Sequence, residues 1–258
     1  MDAKNNHPAF FKKKIFTPFV ALLLVLASAG VTLGVVFFPQ PAPVQPAPSI
    51  EELYAAATKD AMTVEPEEVL PVLTLNPGDP QTTWNQEGKV LLLSWHRYPD
   101  SYPAGQEVTL EWDDVWCFTD QEIADWYVSN RDGVTDWTLR LEQLIGLPPD
   151  KGYTHFTAMW ASPEDIVRPA YVSDIALSQM VDAFSEDVDP EFHAWFDDNI
   201  IWSYYHSQYP WTRLGYTYDW ADNGAEYGLS EFLVKKGAKV DVEFTYTTEE
   251  FLDWLGKQ

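Results

Sequence analysis

The feature that most constrains this chain is the stretch of residues 15–38, which contains no charged side chain. Its length is about what an α-helix needs to cross the hydrocarbon core of a bilayer. Lys12, Lys13 and Lys14 stand directly before it, and no basic cluster follows it. Because Lys and Arg stay in the cytoplasm during insertion, the pattern predicts a single-pass membrane anchor with residues 1–14 in the cytoplasm and the remainder extracytoplasmic.

A cleaved signal peptide is the second interpretation of the same stretch. Ala27, Ser28 and Ala29 form a small-x-small cleavage site at a suitable distance from the lysines. The apolar run continues to Phe38, however, and this length favours an uncleaved signal anchor in the cell membrane. Both interpretations export the rest of the chain, and the sequence leaves cleavage after Ala29 open.

Residues 39–48, PQPAPVQPAP, follow the apolar stretch. This composition favours extended polyproline II, which at about 3.1 Å per residue gives a semi-rigid stalk roughly 30 Å long. Residues 49–258 are enough for one domain with a sizeable core. We therefore expect one globular domain outside the membrane, carried on a stalk.

The exported part of the chain is strongly acidic. Beyond residue 48 lie 39 of the 40 Asp and Glu residues but only 12 of the 16 Lys and Arg residues. Such a surface repels nucleic acid and anionic lipid headgroups, so we expect no nucleic-acid partner and membrane contact only through residues 15–38. The charge favours cationic ligands or calcium, although a solvated exported surface has the same composition.

Caps and apolar patterns predict a mixture of helices and strands. Ser49 and Glu52 form a capping box that opens a helix ending near Asp60, and Thr119 and Glu122 form a second box. Strands and helices alternate without a regular βαβ rhythm, so the predicted class is α+β. Further helices are expected at 136–145, from Ser162, over 190–206 and after Thr247. Strands are expected at 90–95, 108–112, 115–118 and 153–160, and residues 229–234 and 239–246 are expected to form a hairpin.

The single cysteine, Cys117, rules out an intrachain disulfide. It lies in the apolar segment 115–118, which is typical of a buried strand. We therefore expect a structural thiol rather than a nucleophile at this position.

The segment 209–220, YPWTRLGYTYDW, is the densest candidate for ligand binding. An arginine among aromatic rings can clamp a carboxylate or phosphate while the rings stack against a sugar or a base. The alternative is an aromatic core strand in which Arg213 pairs with Asp219 or another acid. The candidate ligand-binding residues are Trp211, Arg213, Tyr216, Tyr218 and Asp219.

The loop that follows offers oxygen ligands at a spacing suited to calcium. Asp219, Asp222, Asn223 and Glu226 are the candidate metal ligands, although the loop is not an EF-hand. A plain acidic turn is the alternative. The sequence requires no cofactor.

The common catalytic signatures, such as G-x-S-x-G, H-E-x-x-H, the P-loop and G-x-G-x-x-G, are missing from the sequence. Catalytic groups are nevertheless defined by their arrangement in space, so the question of an enzyme stays open. Glu231 stands in an otherwise apolar strand, where a carboxylate is either exposed at an edge or placed for use.

Two phrases, R-L-x-Q-x-x-G-L-P-P at 140–149 and Y-P-W-T-R-L-G-Y-T-Y-D-W at 209–220, resemble a family of bacterial exported, membrane-anchored proteins with no assigned activity. The resemblance covers about residues 84–250 and implies a location in the cell envelope. Members of that family carry cysteines where this chain has Ala170-Tyr171 and Phe251, so any disulfides of the family are missing here.

A strand that leads directly into a helix (115–129), followed by Gly-x-x-Glu and a Lys-Gly turn (228–237), resembles ADP-ribosyltransferase folds. The resemblance implies that His96 or Arg97 holds NAD and that Glu231 polarises the ribose. The serine–threonine–serine element of those folds is not evident.

Together these features predict a binding or interaction module at the bacterial cell envelope, with its ligand unspecified. An NAD-using transferase and a cell-envelope hydrolase are the alternatives. In either of these, His96, Arg97 and Glu231 are the candidate catalytic residues.

Overall fold

The computed structural model describes residues 47–258. The cytoplasmic segment predicted for residues 1–14, the anchor predicted for residues 15–38 and most of the stalk predicted for residues 39–48 lie outside the described residues. In the part of the chain that is described, no helix is both long enough and apolar enough to cross a membrane. Ser49–Gln258 forms one compact unit.

The described chain contains nine strands, and seven of them form one antiparallel sheet. The strands are β1 (Val90–His96), β2 (Glu107–Thr109), β3 (Val115–Thr119), β4 (His155–Ala161), β5 (Ile166–Val167), β6 (Tyr216–Tyr218), β7 (Tyr227–Ser230), β8 (Phe232–Val234) and β9 (Lys239–Thr247). The large sheet has the order β2-β9-β4-β1-β3-β8-β5, and β6 pairs with β7 in a second, two-stranded sheet.

The large sheet is curled, because β8 and β9 follow each other in sequence but lie four positions apart in the strand order. Residues 235–238 alone link them, in a turn closed by a 3.1 Å hydrogen bond from the Ala238 N–H to the Lys235 carbonyl. In a flat sheet, strands four positions apart would be about 19 Å from each other, which is too far for such a turn. Curling therefore brings β8 and the start of β9 together.

The hairpin predicted for 229–234 and 239–246 is wrong. β8 pairs with β3 and β5, and β9 pairs with β2 and β4. The turn between β8 and β9 bonds instead to the end of β2, since Gly237 donates to the Leu110 carbonyl at 2.8 Å and Leu110 donates to Ala238 at 3.0 Å. These bonds to a third segment replace the ladder that a hairpin would have formed.

Five α-helices complete the unit, and the α+β class is confirmed. They are α1 (Ile50–Asp60), α2 (Asp120–Asn130), α3 (Trp137–Leu144), α4 (Pro190–Ile201) and α5 (Thr248–Leu255). The capping box of Ser49 and Glu52 is confirmed, and α1 ends at Asp60 as expected. The box predicted at Thr119 is wrong: its side chain makes no capping bond, and the Glu122 carboxylate instead accepts the N–H and the hydroxyl of Ser230 at 2.9 and 3.0 Å.

Two further helix predictions need correction. The helix expected from Ser162 is only a three-residue 3₁₀ turn, Pro163–Asp165. The helix expected over 190–206 is α-helical only to Ile201 and continues as a π-helix over Trp202–Ser207. Gln208, which ends this π-helix, has a φ of 56°, in the left-handed region. π-Helical turns are frequent at functional sites.

The core lies on both faces of the large sheet, and all seven residues of β1 are buried at its centre. Leu91, Leu93 and Trp95 on one face of β1 pack in a cluster with residues of α2, α3 and α5. Val90 and Leu92 on the other face pack with residues that include Cys117. Each fully buried aliphatic side chain contributes roughly 1.5–3 kcal/mol, so this strand anchors the sheet.

We predict that Cys117 is unreactive in the folded protein. Its side chain is 2% exposed, and burial raises the pKa of the thiol well above its usual range. Maleimide labelling at pH 7.5 should therefore be slow until the protein is unfolded. The control is Val128→Cys on the exposed surface of α2, where Val128 is 57% exposed, and this variant should label rapidly at one site. Rapid labelling of the wild-type protein would contradict the buried position.

Candidate functional site

An open cleft of about 1220 Å³ is formed by segments that are far apart in sequence. β1 and the loop after it, the segment from β2 through β3, and the end of α4 with its π-helical extension all contribute to its walls. The rest of the lining comes from residues 145–147, Tyr153, residues 209–211, Thr217, Tyr218 and Glu231. Its volume lies slightly above the range of about 300–1,000 Å³ that is usual for small-molecule sites.

The lining of the cleft is aromatic and acidic. Six of the 12 tryptophans of the chain line it, and five carboxylates join them. Among the described residues, no Lys or Arg contributes to the lining. The aromatic residues are Trp95, Tyr98, Tyr102, Trp112, Trp116, Phe118, Tyr153, Trp195, Trp202, Tyr209, Trp211 and Tyr218, and the acids are Glu111, Asp113, Asp114, Asp198 and Glu231.

Several of these rings present their faces or edges to solvent at the rim. Trp112 is 87% exposed and Trp202 is 57% exposed, although both are large apolar side chains. Trp211 is buried and has Trp116 and Trp195 as edge-on neighbours, with ring centroids 6.2 and 6.1 Å away. The tryptophans therefore run from the rim to the floor of the cleft.

Glu231 is a buried carboxylate in the cleft lining, at the junction of β7 and β8. Its backbone N–H donates to the Gly215 carbonyl at 3.0 Å. Gly215 has a φ of 80°, and a Cβ there would approach the Arg168 side chain to 2.6 Å, so only glycine fits. Burial raises the pKa of Glu231 to about 8, and the Trp211 indole and the Arg168 charge offset part of this effect.

Three buried polar atoms of the lining lack a partner. Glu231 Oε2, Trp211 Nε1 and Asn199 Nδ2 reach no described residue with full hydrogen-bond geometry, although the Trp211 N–H lies near enough to the Glu231 carboxylate to lower its pKa. Leaving a buried donor or acceptor unpaired costs roughly 1–3 kcal/mol, so such atoms in a native protein need an explanation. All three atoms belong to residues that line the one cleft.

His96 also lines the cleft, but its ring nitrogens are occupied. Nδ1 accepts the Tyr98 N–H at 3.0 Å, so Nε2 carries the proton and donates to Thr157 Oγ1 at 2.7 Å. Thr157 and Thr245 continue this chain of hydrogen bonds to the Tyr102 carbonyl. Burial and then the neighbouring His155 lower the pKa of His96 to about 4, so the ring is neutral at physiological pH.

Arg97 lies outside the cleft lining. It is exposed and its guanidinium lies 5.9 Å from the Tyr98 ring and 5.6 Å from the Tyr153 ring. Of the three residues proposed for catalysis from the sequence, the structure thus brings His96 and Glu231 to one cleft and leaves Arg97 beside it.

The segment 209–220 divides between the cleft and the core. Trp211 and Tyr218 line the cleft, whereas Arg213, Tyr216 and Asp219 do not. Arg213, with a φ of 63°, donates to the carbonyls of Ala61 and Met62 at 3.1 Å each and to the Tyr171 hydroxyl at 3.1 Å.

Arg213 therefore holds the C-terminus of α1, where a cation is favoured by the helix dipole. The Arg213–Asp219 pair considered from the sequence is not formed. Asp219 accepts two hydrogen bonds from Arg140, at 3.0 and 2.6 Å, in a bidentate pair. Asp219 and Arg213 each stabilise the packing of a helix.

The calcium ligands expected at 219–226 are not gathered as a group. Asp219 is engaged by Arg140 and by Asn223 Nδ2 at 3.2 Å, and Asn223 Oδ1 accepts the Ala225 N–H. Asp222 does not belong to the one cluster of potential ligands found in the described residues.

Glu226 instead meets two acids from the N-terminal part of the domain. Possible ligand atoms of Asp60, Glu68 and Glu226 lie within 4.8 Å of one another. The Tyr218 hydroxyl donates to Asp60 Oδ2 at 2.8 Å. Burial, and after it the neighbouring Asp60 and Glu226, raise the pKa of Glu68, while the Glu65 backbone N–H opposes them. Hard cations such as calcium bind carboxylate oxygens, and three carboxylates lie close together here.

The sequence did not identify Asn199, Trp195 or Trp202 as residues of a site. All three lie in the helix expected over 190–206, but within α4 only Phe196 is buried. The signal that could have identified the two tryptophans is their mixture with Asp197, Asp198 and Asn199, since a core-facing stripe is not usually bordered so closely by charge.

We predict that Glu231→Gln stabilises the protein at pH 8. An unfolded Glu loses its proton near pH 4.5, whereas folded Glu231 holds it to about pH 8, so wild-type stability falls as the pH rises through this window. The Gln variant lacks this dependence and should be more stable by about 2 kcal/mol at pH 8, with the difference vanishing near pH 4. Thermal unfolding across this pH range measures it.

The matched control for this prediction is Glu122→Gln. Burial also raises the pKa of Glu122, to about 7, but both of its oxygens accept hydrogen bonds from Ser230. Its replacement should destabilise the protein by about 1–3 kcal/mol. A destabilised Glu231→Gln at pH 8 would show that Glu231 has a partner on which the fold depends.

Comparison of the chain with protein-family models, with curated proteins and with solved structures finds no match. The chemistry of the cleft is therefore the basis for assigning a function. That chemistry is a group of six tryptophans, five carboxylates and three unpaired polar atoms among the described residues.

Proposed function

We propose that this domain is an extracytoplasmic binding module that takes a cationic organic ligand in the aromatic cleft. The observation that carries the proposal is the lining itself, in which five carboxylates and 12 aromatic rings occur without a described Lys or Arg. The extracytoplasmic location rests on the lysine asymmetry around residues 15–38.

An organic cation gains from both kinds of side chain in this cleft. A cation over the face of a tryptophan is attracted by about 0.5–2 kcal/mol, more when water is excluded. Carboxylates in a concave site raise the local concentration of cations and accelerate their association. The rim tryptophans Trp112 and Trp202 are exposed and available for such contacts.

The same lining disfavours anionic ligands, including NAD. The diphosphate of NAD would face the carboxylates without a described basic side chain in the lining to neutralise it. Arg97 packs beside the rings of Tyr98 and Tyr153, and Arg213 is occupied by the end of α1. Lys151 packs beside the rings of Tyr153 and Tyr209 and donates to the Tyr209 hydroxyl, so the transferase alternative lacks an unengaged cation in the described lining.

The hydrolase alternative has an acid but lacks a histidine base in the described cleft. Glu231 is protonated near neutral pH and would serve as an acid. His96, however, has its acceptor nitrogen occupied by the Tyr98 N–H. Binding is therefore the function that the geometry favours.

We predict that choline quenches the tryptophan fluorescence of the full chain in a saturable way at pH 8. Its neutral isostere 3,3-dimethylbutan-1-ol has the same shape without the charge and should bind at least tenfold more weakly, because it loses the cation–π and carboxylate attraction. Inorganic phosphate should not bind. Equal binding of choline and its isostere, or failure of both choline and spermidine to bind, would contradict the proposal.

A pair of variants on one π-helical turn locates the binding. Trp202→Ala removes an exposed ring of the cleft lining and should weaken choline binding by about three- to tenfold. Tyr205→Ala removes a ring that is 71% exposed and does not line the cleft, so it should bind as the wild type does. Equal effects of the two variants would show that the cleft is not the site.

A further inference from the structure

The floor of the cleft carries a more specific chemistry than its walls. Glu231 and Trp211 are each 5% exposed, and each has an unpaired polar atom among the described residues. Asn199 adds a third unpaired atom, its amide nitrogen. One of these atoms is a carboxylate oxygen and the other two are N–H donors, so the floor offers a place for a cation beside a place for an acceptor.

We propose that the floor is a head-group subsite for a cationic amino alcohol, in which Glu231 pairs with the ammonium group and the side chains of Trp211 and Asn199 donate to the neighbouring oxygen. This inference rests on the proposed function and names the chemical class of its ligand. A simple cation would leave the two donors unpaired, and a neutral alcohol would leave the carboxylate unpaired. An amino alcohol satisfies all three.

Among the described residues, no ion pair holds Glu231 in the unliganded protein. Lys239 pairs with Glu107 at 2.8 Å, and Arg213 binds the end of α1. Arg168 lies near enough to lower the pKa of Glu231 but forms no ion pair with it; its Nη2 donates to the Leu73 carbonyl at 2.7 Å, while its Nε and Nη1 have no partner among the described residues. The carboxylate is therefore available to a ligand.

Binding in this way releases a proton. Glu231 is mostly protonated near neutral pH because burial raises its pKa to about 8. When the ammonium group binds, the carboxylic acid loses its proton to the buffer and the carboxylate pairs with the cation, so the charges balance. The apparent affinity should rise with pH up to about pH 8 and then level off.

The other titratable groups around Glu231 do not give this dependence. Arg168 stays charged, and burial keeps the Tyr204 hydroxyl protonated, donating to the Trp211 carbonyl. His96 across the cleft is neutral, because burial lowers its pKa to about 4. Glu122 in α2 titrates near pH 7 but does not line the cleft, so Glu122→Gln serves as the control for its influence.

The experiment is calorimetric titration of the full chain with choline at pH 6, 7, 8 and 9. Choline keeps its charge at every pH, and repeating each titration in two buffers of different ionisation enthalpy counts the protons released. For each choline bound, we expect nearly one proton to be released at pH 6 and almost none at pH 9. The affinity should rise by up to about tenfold per pH unit below pH 8. Glu231→Gln should bind at least tenfold more weakly at pH 9 and without pH dependence.

The donors are tested by comparing choline with tetramethylammonium, which has the charge but no oxygen. The wild type should prefer choline several-fold, and Trp211→Phe, which keeps a ring but loses the N–H, should remove much of that preference. If Trp211→Phe does not fold, Asn199→Ala removes the other N–H donor, at a residue that is only half-buried. Thermal unfolding of each variant confirms that it is folded.

The outcomes separate this inference from the proposed function. If choline binds without releasing a proton and binds Glu231→Gln equally well, the cation lies elsewhere in the cleft and the subsite is wrong while the binding function stands. If tetramethylammonium binds as tightly as choline in every variant, the donors do not take part and the amino alcohol class is wrong. If neither cation binds the wild type at pH 9, both proposals fail.

Discussion

A single buried guanidinium, that of Arg168, connects the parts of the structure on which the cleft depends. Its side chain is fully buried, donates to the Leu73 carbonyl at 2.7 Å and lies 4.8 Å from the centre of the Phe232 ring in β8. It passes so close to Gly215 that no side chain fits there, and the Gly215 carbonyl in turn accepts the N–H of Glu231. Since a buried charge is costly unless it is compensated, the carboxylates around Arg168 are part of its environment and not separate features.

Two buried acids share this one cation and differ in what else surrounds them. Glu122 accepts two hydrogen bonds from Ser230, so its carboxylate is paired within the fold. Glu231 has no described partner for one of its oxygens, and burial raises the pKa of both acids. The two acids therefore differ in their hydrogen bonds: both oxygens of Glu122 are paired within the fold, and one oxygen of Glu231 is not.

The sequence predicts what depends on short-range signals. The α+β class, the capping box at Ser49 and the burial of Cys117 follow from neighbouring residues and are confirmed. The box at Thr119 fails because the carboxylate of Glu122 is taken by Ser230, which is 108 residues away. The hairpin fails because Leu110 supplies the bonds that its turn makes. The cleft could not be predicted from the sequence, because its walls come from separate segments that only the curled sheet brings together. Glu231 was noticeable in the sequence only as a charged residue in an apolar strand.

Several departures from regular structure lie beside the cleft. The π-helix Trp202–Ser207 and the left-handed Gln208 follow α4, and Asn199, Trp211 and Glu231, which each carry an unpaired atom, line the cleft. The centre of the large sheet, by contrast, is regular and tightly buried. Such departures each cost stability, and natural proteins retain them mainly where function requires them. A ligand that paired the three floor atoms would recover part of that cost on binding, and it would stabilise the folded state in proportion to its concentration relative to its Kd. The regular centre of the sheet supports these irregular segments, which is the arrangement that the proposed binding site requires.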